Sequence, residues 1–302
     1  MVAGEVSAAL TRDNLKQLLA IALTSDGRSV RARLSMIASP GFLLDKWYLD
    51  CVTPGGDVFI GYTATLRWRR LRLNYASVLL APYGGAPESR TTLRASGGPE
   101  LRGGELTWSC TPLVCAGRWH AEAPELERTL LQDESGQVRW SCLQPRSACT
   151  VAVAGRPPLS GLGYAERLSL TVKPWRLPLR ELRWGRFLSP HDTVVWIEWR
   201  GLRPLSLLFH NGVEVDAGCI SDDLLTFADS SLRFADSRVL RQGPLVRTAL
   251  AAVPALHHLA PRRILEAEET KWCSRGELLP AEPAASTGWA IHEVVAFPMS
   301  AE

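Results

Sequence analysis

The sequence predicts an all-β protein of two antiparallel β-barrel domains packed together, with a short N-terminal helix. From residue 40 onward, short segments of alternating apolar and polar residues are separated by turn signals, as in antiparallel sandwiches and barrels. No segment reads as a βαβ unit. The stretch GRPPLSGLG, residues 155–163, holds three glycines and two prolines, which are unfavourable inside a strand ladder. We interpret it as the linker between two similar halves.

Length and composition restrict the classes of protein that fit. The chain has 302 residues, enough for two domains, and 46% hydrophobic residues, enough for a core. Its net charge is +3, from 34 basic and 31 acidic residues, and the arginines are scattered among acids. A nucleic-acid interface needs clustered basic residues, so we expect no nucleic-acid partner.

The cysteines and the N-terminus indicate the compartment. The seven cysteines form an odd set without histidines at metal-ligand spacing, so we predict reduced thiols and no metal site. The N-terminus lacks the basic start and apolar run of a signal peptide, and no segment reaches the roughly 18 apolar residues of a membrane span. We expect a cytoplasmic protein.

Residues 1–36 are predicted to form an N-terminal extension. Within residues 7–23, leucines at positions 15, 18, 19 and 23 have helical spacing, and Ser25-Asp26-Gly27 is a stop signal. The segment carries only two basic residues, Arg12 and Lys16. We therefore favour a helix docked on the main body over a membrane-surface or partner helix.

Residues 37–156 are predicted to form the first barrel. Two turns are clear, Pro54-Gly55-Gly56-Asp57 and Asp133-Glu134-Ser135-Gly136. The predicted strands are 47–52, 58–68, 71–75, 106–109, 119–121, 126–132, 138–143 and 149–153.

Residues 157–302 are predicted to form the second barrel. His210-Asn211-Gly212 is a hairpin-turn signal, and the Pro-broken segment 249–261 has room for one short helix before segment 263–272. The predicted strands are 164–173, 182–188, 193–200, 205–209, 224–227, 231–234 and the closing strand 289–297. In the closing strand, His292 and Glu293 fall on opposite faces.

The stretch 161–201 is the strongest candidate for a functional site. It holds four of the eleven tryptophans together with Tyr164 and three carboxylates, Glu166, Glu181 and Glu198. Both an exposed Trp and an unpaired buried Glu are costly, so their mixture predicts a lined pocket in which both are used.

Three blocks carry a resemblance to a known family. They are DKWYLDCVTPGGDVFIGYTATLRW (45–68), GYAERLSLTVKPWRLPLRELRWGRFLSPHDTVVWIEWRG (163–201) and GWAIHEVVAFP (288–298). These blocks resemble the carotenoid 1,2-hydratase (hydroxyneurosporene synthase) and AttH-like superfamily over roughly residues 38–300. The resemblance implies two packed lipocalin-like β-barrels with an apolar ligand cavity at or near their junction.

The resemblance also implies an activity. Carotenoid hydratases of this superfamily add water to an isolated terminal double bond without a redox cofactor, and relatives act as cyclases. Such a reaction needs a carboxylic acid whose pKa is raised by an apolar pocket, aromatic faces that stabilise a carbocation, and one admitted water. We therefore expect a cofactor-free hydro-lyase, isomerase or cyclase acting on a polyene or terpenoid, such as a carotenoid-biosynthesis intermediate.

The hydratase motif pairs an aromatic residue with an acid two positions on, and Trp196 and Glu198 match it. The motif's acid is Asp where this chain has Glu198, and its histidine near the earlier Trp is absent here. The alternative for Glu198 is an ion pair with Arg183, Arg186 or Arg200 at a barrel rim. The predicted catalytic residues are Glu198 and Glu166, and the predicted substrate-binding residues are Trp184, Trp196 and Tyr164.

Each assignment has a competing interpretation. Trp184 and Trp196 fit core packing as well as ligand contact. Tyr164 and Glu166 share one face of a strand and could form a second polar contact for a ligand. The partner expected is a hydrophobic small molecule, with peripheral membrane contact left open for a lipid substrate. A non-catalytic carrier of a hydrophobic molecule is the alternative function, and a scaffold without a ligand is a third.

Overall fold

The computed structural model describes residues 41–68, 71–95, 97–247, 261–279 and 285–298. The predicted helix within residues 7–23 and nearly all of segment 249–261 lie outside these ranges. The described chain is almost entirely β-structure in two curled antiparallel sheets, and its α-helix, α1, is Arg262–Leu265. The all-β prediction of two barrel-like domains is confirmed.

The first sheet has ten strands. Nine follow the order β4-β3-β2-β1-β10-β9-β7-β6-β5, and β8 pairs with β9 outside this order. Its strands are β1 (Phe42–Val52), β2 (Val58–Trp68), β3 (Leu71–Ala81), β4 (Glu88–Thr92), β5 (Glu100–Arg102), β6 (Glu105–Cys110), β7 (Cys115–Ala121), β8 (Leu126–Asp133), β9 (Gly136–Val153) and β10 (Leu159–Leu170).

The second sheet has nine strands, in the order β14-β13-β12-β11-β19-β18-β17-β16-β15. Its strands are β11 (Leu179–Leu188), β12 (Thr193–Gly201), β13 (Leu205–His210), β14 (Val213–Glu214), β15 (Ala217–Ile220), β16 (Leu224–Phe227), β17 (Ser230–Pro244), β18 (Glu268–Leu279) and β19 (Ser286–Ala296). In both sheets the first strand of the chain pairs with the last, β1 with β10 and β11 with β19.

The turn residues produce the predicted hairpins. Asn211 and Gly212 both have positive φ, 50° and 84°, between β13 and β14. That backbone twist suits a two-residue hairpin loop, and Asn and Gly tolerate it best. Asp133 pairs with Gly136 across the turn between β8 and β9. Local turn chemistry therefore sets these two registers.

The change from the first sheet to the second lies farther along the chain than residue 157. Strand β10, Leu159–Leu170, pairs with both β1 and β9, so the sheets change over between residues 170 and 179. The expectation that the glycines of 155–163 lie outside a ladder was wrong for Gly161 and Gly163, whereas Gly155 lies in a turn before β10. A Cβ on Gly161 would lie 2.0 Å from the Val52 carbonyl oxygen, so the glycine permits a close backbone approach inside the sheet.

Three apolar cores divide the interior. One contains residues of the first sheet alone, such as Leu49 and Trp119, and another contains residues of the second sheet alone, such as Phe187 and Trp196. The third combines residues of both sheets, among them Tyr48 and Trp184. We call this third core the junction. Because side chains alternate along a strand, each central strand sends one face into its own barrel and the other to the junction.

Candidate active site at the junction of the two sheets

The junction is built around the carboxylate of Glu166 on β10. Its oxygen Oε2 accepts hydrogen bonds from Trp140 Nε1 at 2.5 Å, from the Tyr164 hydroxyl at 2.7 Å and from Trp184 Nε1 at 3.0 Å. Trp140 is on β9 of the first sheet, whereas Trp184 is on β11 of the second. The carboxylate is therefore held from both domains.

Opposing effects set the pKa of Glu166. Burial raises it, because an apolar surrounding disfavours the charged form, whereas the donors Trp140, Tyr164 and Trp184 and the nearby Lys46 lower it. Burial prevails, and the pKa of Glu166 lies above its ordinary value. All three donors occupy Oε2, so a proton bound by this carboxyl group belongs on Oε1. The geometry directs an acidic proton away from the three donors.

Aromatic rings surround this carboxyl group. Tyr48 is central, with ring centroids 4.8 Å from Trp184, 5.4 Å from Tyr62 and 6.0 Å from Tyr164. All three contacts are edge-to-face, the geometry that aromatic quadrupoles favour. Ring faces of this kind attract cations. The site thus combines a carboxyl group with a surface that stabilises positive charge.

A buried lysine lies beneath these rings. The ammonium of Lys271, whose side chain is 1% exposed, lies 5.1 Å from the ring centre of Tyr48 and 5.0 Å from that of Trp184. It forms an ion pair with Glu293 of β19. Burial raises the pKa of Glu293, but Lys271 and Lys46 outweigh it, so that the pKa lies below its ordinary value and the pair is charged.

A second buried ion pair fastens the sheets together. Asp50 of β1 and Arg186 of β11 are both fully buried and form a bidentate pair, at 2.8 and 3.0 Å. The Tyr48 hydroxyl donates to Asp50 Oδ2 at 2.9 Å, and Arg186 donates to the Trp289 carbonyl at 2.7 Å. These contacts satisfy the buried charges, as such a pair requires.

One part of the junction is only partly buried, and we call this part the junction cleft. It is bounded by half-buried residues that point to the junction, with Tyr48, Tyr62 and Trp184 buried beneath them. Its members are Leu44, Lys46, Leu66, Glu166, Leu168, Leu182 and Glu293. Glu166 and Glu293 are the carboxylates of this mainly apolar set, which is the composition of a small-molecule site.

The structure brings together three of the five predicted site residues. Tyr164, Glu166 and Trp184 meet in the hydrogen-bonded cluster, and the shared face of Tyr164 and Glu166 is confirmed. Trp196 and Glu198 lie on the other face of β12, because Val195 and Ile197 are the residues that point to the junction.

Trp196 and Glu198 belong to the second barrel instead. Trp196 is 2% exposed and stacks on Phe234 at 5.7 Å, which is the core-packing alternative. Glu198 lies 2.7 Å from Arg200, which is one of the rim ion pairs considered for it. The face of β12 that carries Trp196 and Glu198 points away from the junction cleft.

The neighbouring His292 also points into the second barrel, while Glu293 points to the junction. His292 receives or donates a hydrogen bond at 2.8 Å with the Ser274 hydroxyl and stacks on Phe234, at 4.6 Å. Burial lowers its pKa to about 4, so the imidazole is neutral at pH 7. The opposite faces predicted for His292 and Glu293 are thus observed.

Sequence reasoning missed Tyr48, Trp140, Lys46 and Lys271. Trp140 lies in a predicted strand, yet nothing in its neighbourhood showed that β9 pairs with β10 and so brings it to Glu166. For Glu293 the sequence did hold a signal, because the alternation along the closing strand correctly placed Glu293 on the face opposite His292. Within the ranges described, His, Cys, Asp and Glu residues form no group of three that fits a metal ion.

A groove elsewhere on the surface has a volume of about 450 Å³. It lies on the solvent-facing side of β6, β7 and β9, lined by residues such as Thr107, Arg118 and Thr150. None of the predicted site residues lines it. Among the described residues, no helix is long and apolar enough to cross a bilayer.

Comparisons with solved structures identify the fold. The chain is similar to CghA (11% identity, TM-score 0.52, covering 87% of this chain and 90% of CghA). It is also similar to a putative AttH from Nitrosomonas europaea (9%, 0.50, covering 89% and 98%) and to kievitone hydratase from Nectria haematococca (10%, 0.50, covering 84% and 88%). No protein-family model matches the chain, and no curated protein does either. These similarities confirm the fold alone, which the chain shares with a protein described as a putative AttH.

Proposed function

We propose that the protein binds a lipophilic polyene- or terpenoid-like molecule in the junction cleft and transforms it by cofactor-independent acid chemistry. Glu166 is the proton donor in this proposal. The observation that carries it is the set of three donors on one oxygen of a carboxyl group with a raised pKa, which leaves Oε1 for the acidic proton.

The chemistry follows from this arrangement. Oε1 gives its proton to one carbon of a substrate double bond, and the resulting cation forms on the other carbon, facing the rings of Tyr48 and Trp184. A water molecule adds to that carbon and returns a proton to the Glu166 carboxylate, which completes a hydration. Attack by another double bond of the same molecule gives cyclisation, and loss of a neighbouring proton gives isomerisation.

The similar structures support this class of reaction. One of them is called a hydratase, and it shares the two-barrel fold over most of its length. Water addition to a carotenoid is the most specific version of the proposal, and it rests on the sequence blocks that resemble carotenoid hydratases. The acid assigned here is Glu166 rather than Glu198, because Glu198 pairs with Arg200 outside the junction.

A carrier is the second candidate function. The observation that favours it is the same cluster, since Trp140, Tyr164 and Trp184 satisfy a buried carboxylate as a purely structural network would. In that case the cleft holds a lipophilic molecule unchanged.

The test compares three glutamate-to-glutamine variants. Wild type, Glu166→Gln, Glu198→Gln and the surface control Glu127→Gln are incubated with lycopene, squalene and all-trans-retinol. Products are sought by mass spectrometry, as a mass increased by one water or as isomers of altered retention. We expect Glu166→Gln to lose turnover by about a hundredfold or more, the usual contribution of a general acid, while binding measured by quenching of tryptophan emission persists.

The outcomes separate the candidates. Wild-type turnover in Glu166→Gln, or loss of turnover in Glu198→Gln alone, would reject Glu166 as the acid. Stoichiometric binding without conversion of any of the three molecules by wild type would favour the carrier.

A further inference from the structure

Lys46 occupies a distinctive place in the junction cleft. It lies on β1, two residues before Tyr48 and on the same face, with Leu168 of β10 and Ala64 of β2 as its neighbours in register. Its side chain is half-buried, and its ammonium lies 5.2 Å from the ring centre of Tyr62. The register pairs Tyr48 with Glu166, so Lys46 is a diagonal neighbour of the proposed acid.

Arg238 donates to the carbonyl oxygens of Pro82 and Gly56, and three other cations of the junction have carboxylate partners. Arg186 pairs with Asp50, Lys271 with Glu293 and Arg241 with Glu269. In the part of the chain that the structure describes, Lys46 forms neither an ion pair nor a hydrogen bond, and its contact is the Tyr62 ring. The positive charge of Lys46 lowers the pKa of both Glu166 and Glu293, yet its ammonium forms an ion pair with neither of them. A half-buried ammonium without a partner is costly unless a ligand supplies one.

The charge balance of the junction points the same way. Around the acid, three cations face three carboxyl groups when Glu166 is ionised, the cations being Lys46, Arg241 and Lys271 and the acids being Glu166, Glu269 and Glu293. Protonation of Glu166, the state in which it acts as an acid, leaves three cations against two carboxylates. The proton-donating site therefore carries one excess positive charge, and that charge is nearest Lys46.

We propose that Lys46 binds an acidic oxygen group of the substrate, so that the substrate is a lipophilic polyene with an anionic head and not a pure hydrocarbon. This inference rests on the proposed function of the same cleft. The head lies on Lys46 beside Tyr62, and the polyene extends over Tyr48 and Trp184 towards Oε1 of Glu166. Lys46 thereby selects the substrate and positions its double bond against the acid.

The test uses two probes with the same polyene, all-trans-retinoic acid and all-trans-retinol, which differ in the charge of the head. Affinities are measured by quenching of tryptophan emission for wild type, Lys46→Met, Lys46→Arg and the control Lys173→Met. We expect wild type to bind retinoic acid about tenfold more tightly than retinol, as a charge-assisted contact provides. Lys46→Met loses that preference because it weakens retinoic acid binding about tenfold more than retinol binding, Lys46→Arg keeps it, and Lys173→Met resembles wild type.

Equal affinity of wild type for the two probes, or an equal loss for both in Lys46→Met, would overturn the inference. The proposed function would survive that result if turnover still depended on Glu166. Conversely, a Lys46-dependent preference in a protein whose turnover ignores Glu166 keeps the anionic-head subsite and rejects the acid. A wild type that binds neither probe overturns both proposals.

Discussion

The carboxyl group of Glu166 is fixed in orientation by hydrogen bonds and still has a raised pKa. Hydrogen bonds from Trp140, Tyr164 and Trp184 stabilise its ionised form, and burial destabilises that form. The three donors leave one oxygen free while fixing the orientation of the group. Because the donors come from both sheets, the pKa of this residue depends on the two domains being docked.

Removing a donor should raise the pKa of Glu166 further. Trp140→Phe deletes one hydrogen bond to Oε2 and keeps an aromatic ring, so the ionised form loses part of its stabilisation. The measurement is NMR titration of glutamate carboxyl carbons, with the Glu166 signal assigned through Glu166→Gln. We expect the wild-type signal to titrate above ordinary glutamates and the Trp140→Phe signal to titrate higher still.

The matched control is Trp108→Phe, which alters a tryptophan in the core of the first barrel. It should leave the Glu166 titration unchanged. A Glu166 signal at or below the ordinary glutamate pKa would contradict the assignment of burial as the dominant effect. The raised pKa also means that this group contributes stability in full below its unfolded-state pKa, and that the contribution is lost as pH rises through the folded-state pKa.

At the scale of elements, β10 determines where the site lies. It belongs to the first sheet, yet it carries Tyr164 and Glu166 to the face that meets the second. Its start contains Gly161 and Gly163, where β1 approaches so closely that a Cβ would meet the carbonyl oxygens of Val52 and Asp50, at 2.0 and 2.6 Å. The pairing of β1 with β10 therefore requires glycine here.

Gly161→Ala should destabilise the protein by about 1–3 kcal/mol or more, the cost of overpacking against a backbone that cannot move aside. Urea denaturation measures this change. The control Gly55→Ala lies in the turn between β1 and β2, where the nearest atom to an added Cβ is 3.7 Å away, and it should be tolerated. Equal stability of the two variants would show that the β1–β10 ladder has more room than the structure gives it.

The sequence predicted local structure well and strand pairing poorly. Alternation placed β2 and β12 almost to the residue, and turn residues placed the hairpins at Asn211 and Gly136. The glycines of β10 misled because the same residue type serves linkers and close-packed ladders, and only the partner strand distinguishes them. The long β17 was seen only at its start, since its central residues are mostly polar and exposed.

The same limit applies to the site. The two-residue repeat of a β-strand correctly placed Tyr164 and Glu166 on the same face, because both lie on one strand. It also joined Trp196 to Glu198, but it could not tell which face of β12 meets the first sheet. Trp140, Lys46 and Lys271 come from three other strands, and their meeting depends on long-range pairing that no local pattern encodes.

At the scale of the whole molecule, the junction makes the two barrels interdependent. A shared core and the buried pair of Asp50 with Arg186 join them. Breaking that pair by Asp50→Asn should cost roughly 3–5 kcal/mol, because Arg186 is left buried without its counter-charge. We expect a single urea transition, seen alike by near- and far-ultraviolet circular dichroism, that moves as a whole to lower urea.

A more exposed ion pair, between Asp45 of β1 and Arg167 of β10, is the control. Arg167 and Asp45 have the same bidentate geometry, at 2.7 and 2.8 Å, but their side chains are 48% and 25% exposed. Asp45→Asn should therefore cost less than about 1 kcal/mol. Two separate transitions, of which only one moves in Asp50→Asn, would show that the barrels unfold independently.

The pairing of first strand with last in each sheet affects how the protein is made. While the chain leaves the ribosome, β1 has β2 on one side and an unpaired edge on the other until β10 emerges. The edge of β11 stays open in the same way until β19 is synthesised. Since long-range pairing folds slowly and open edges aggregate, we expect newly made chains to be prone to misassembly until β10 and β19 have paired. Glu166 therefore gains its hydrogen bond from Trp184 only after β11 has been made and has docked on the first sheet.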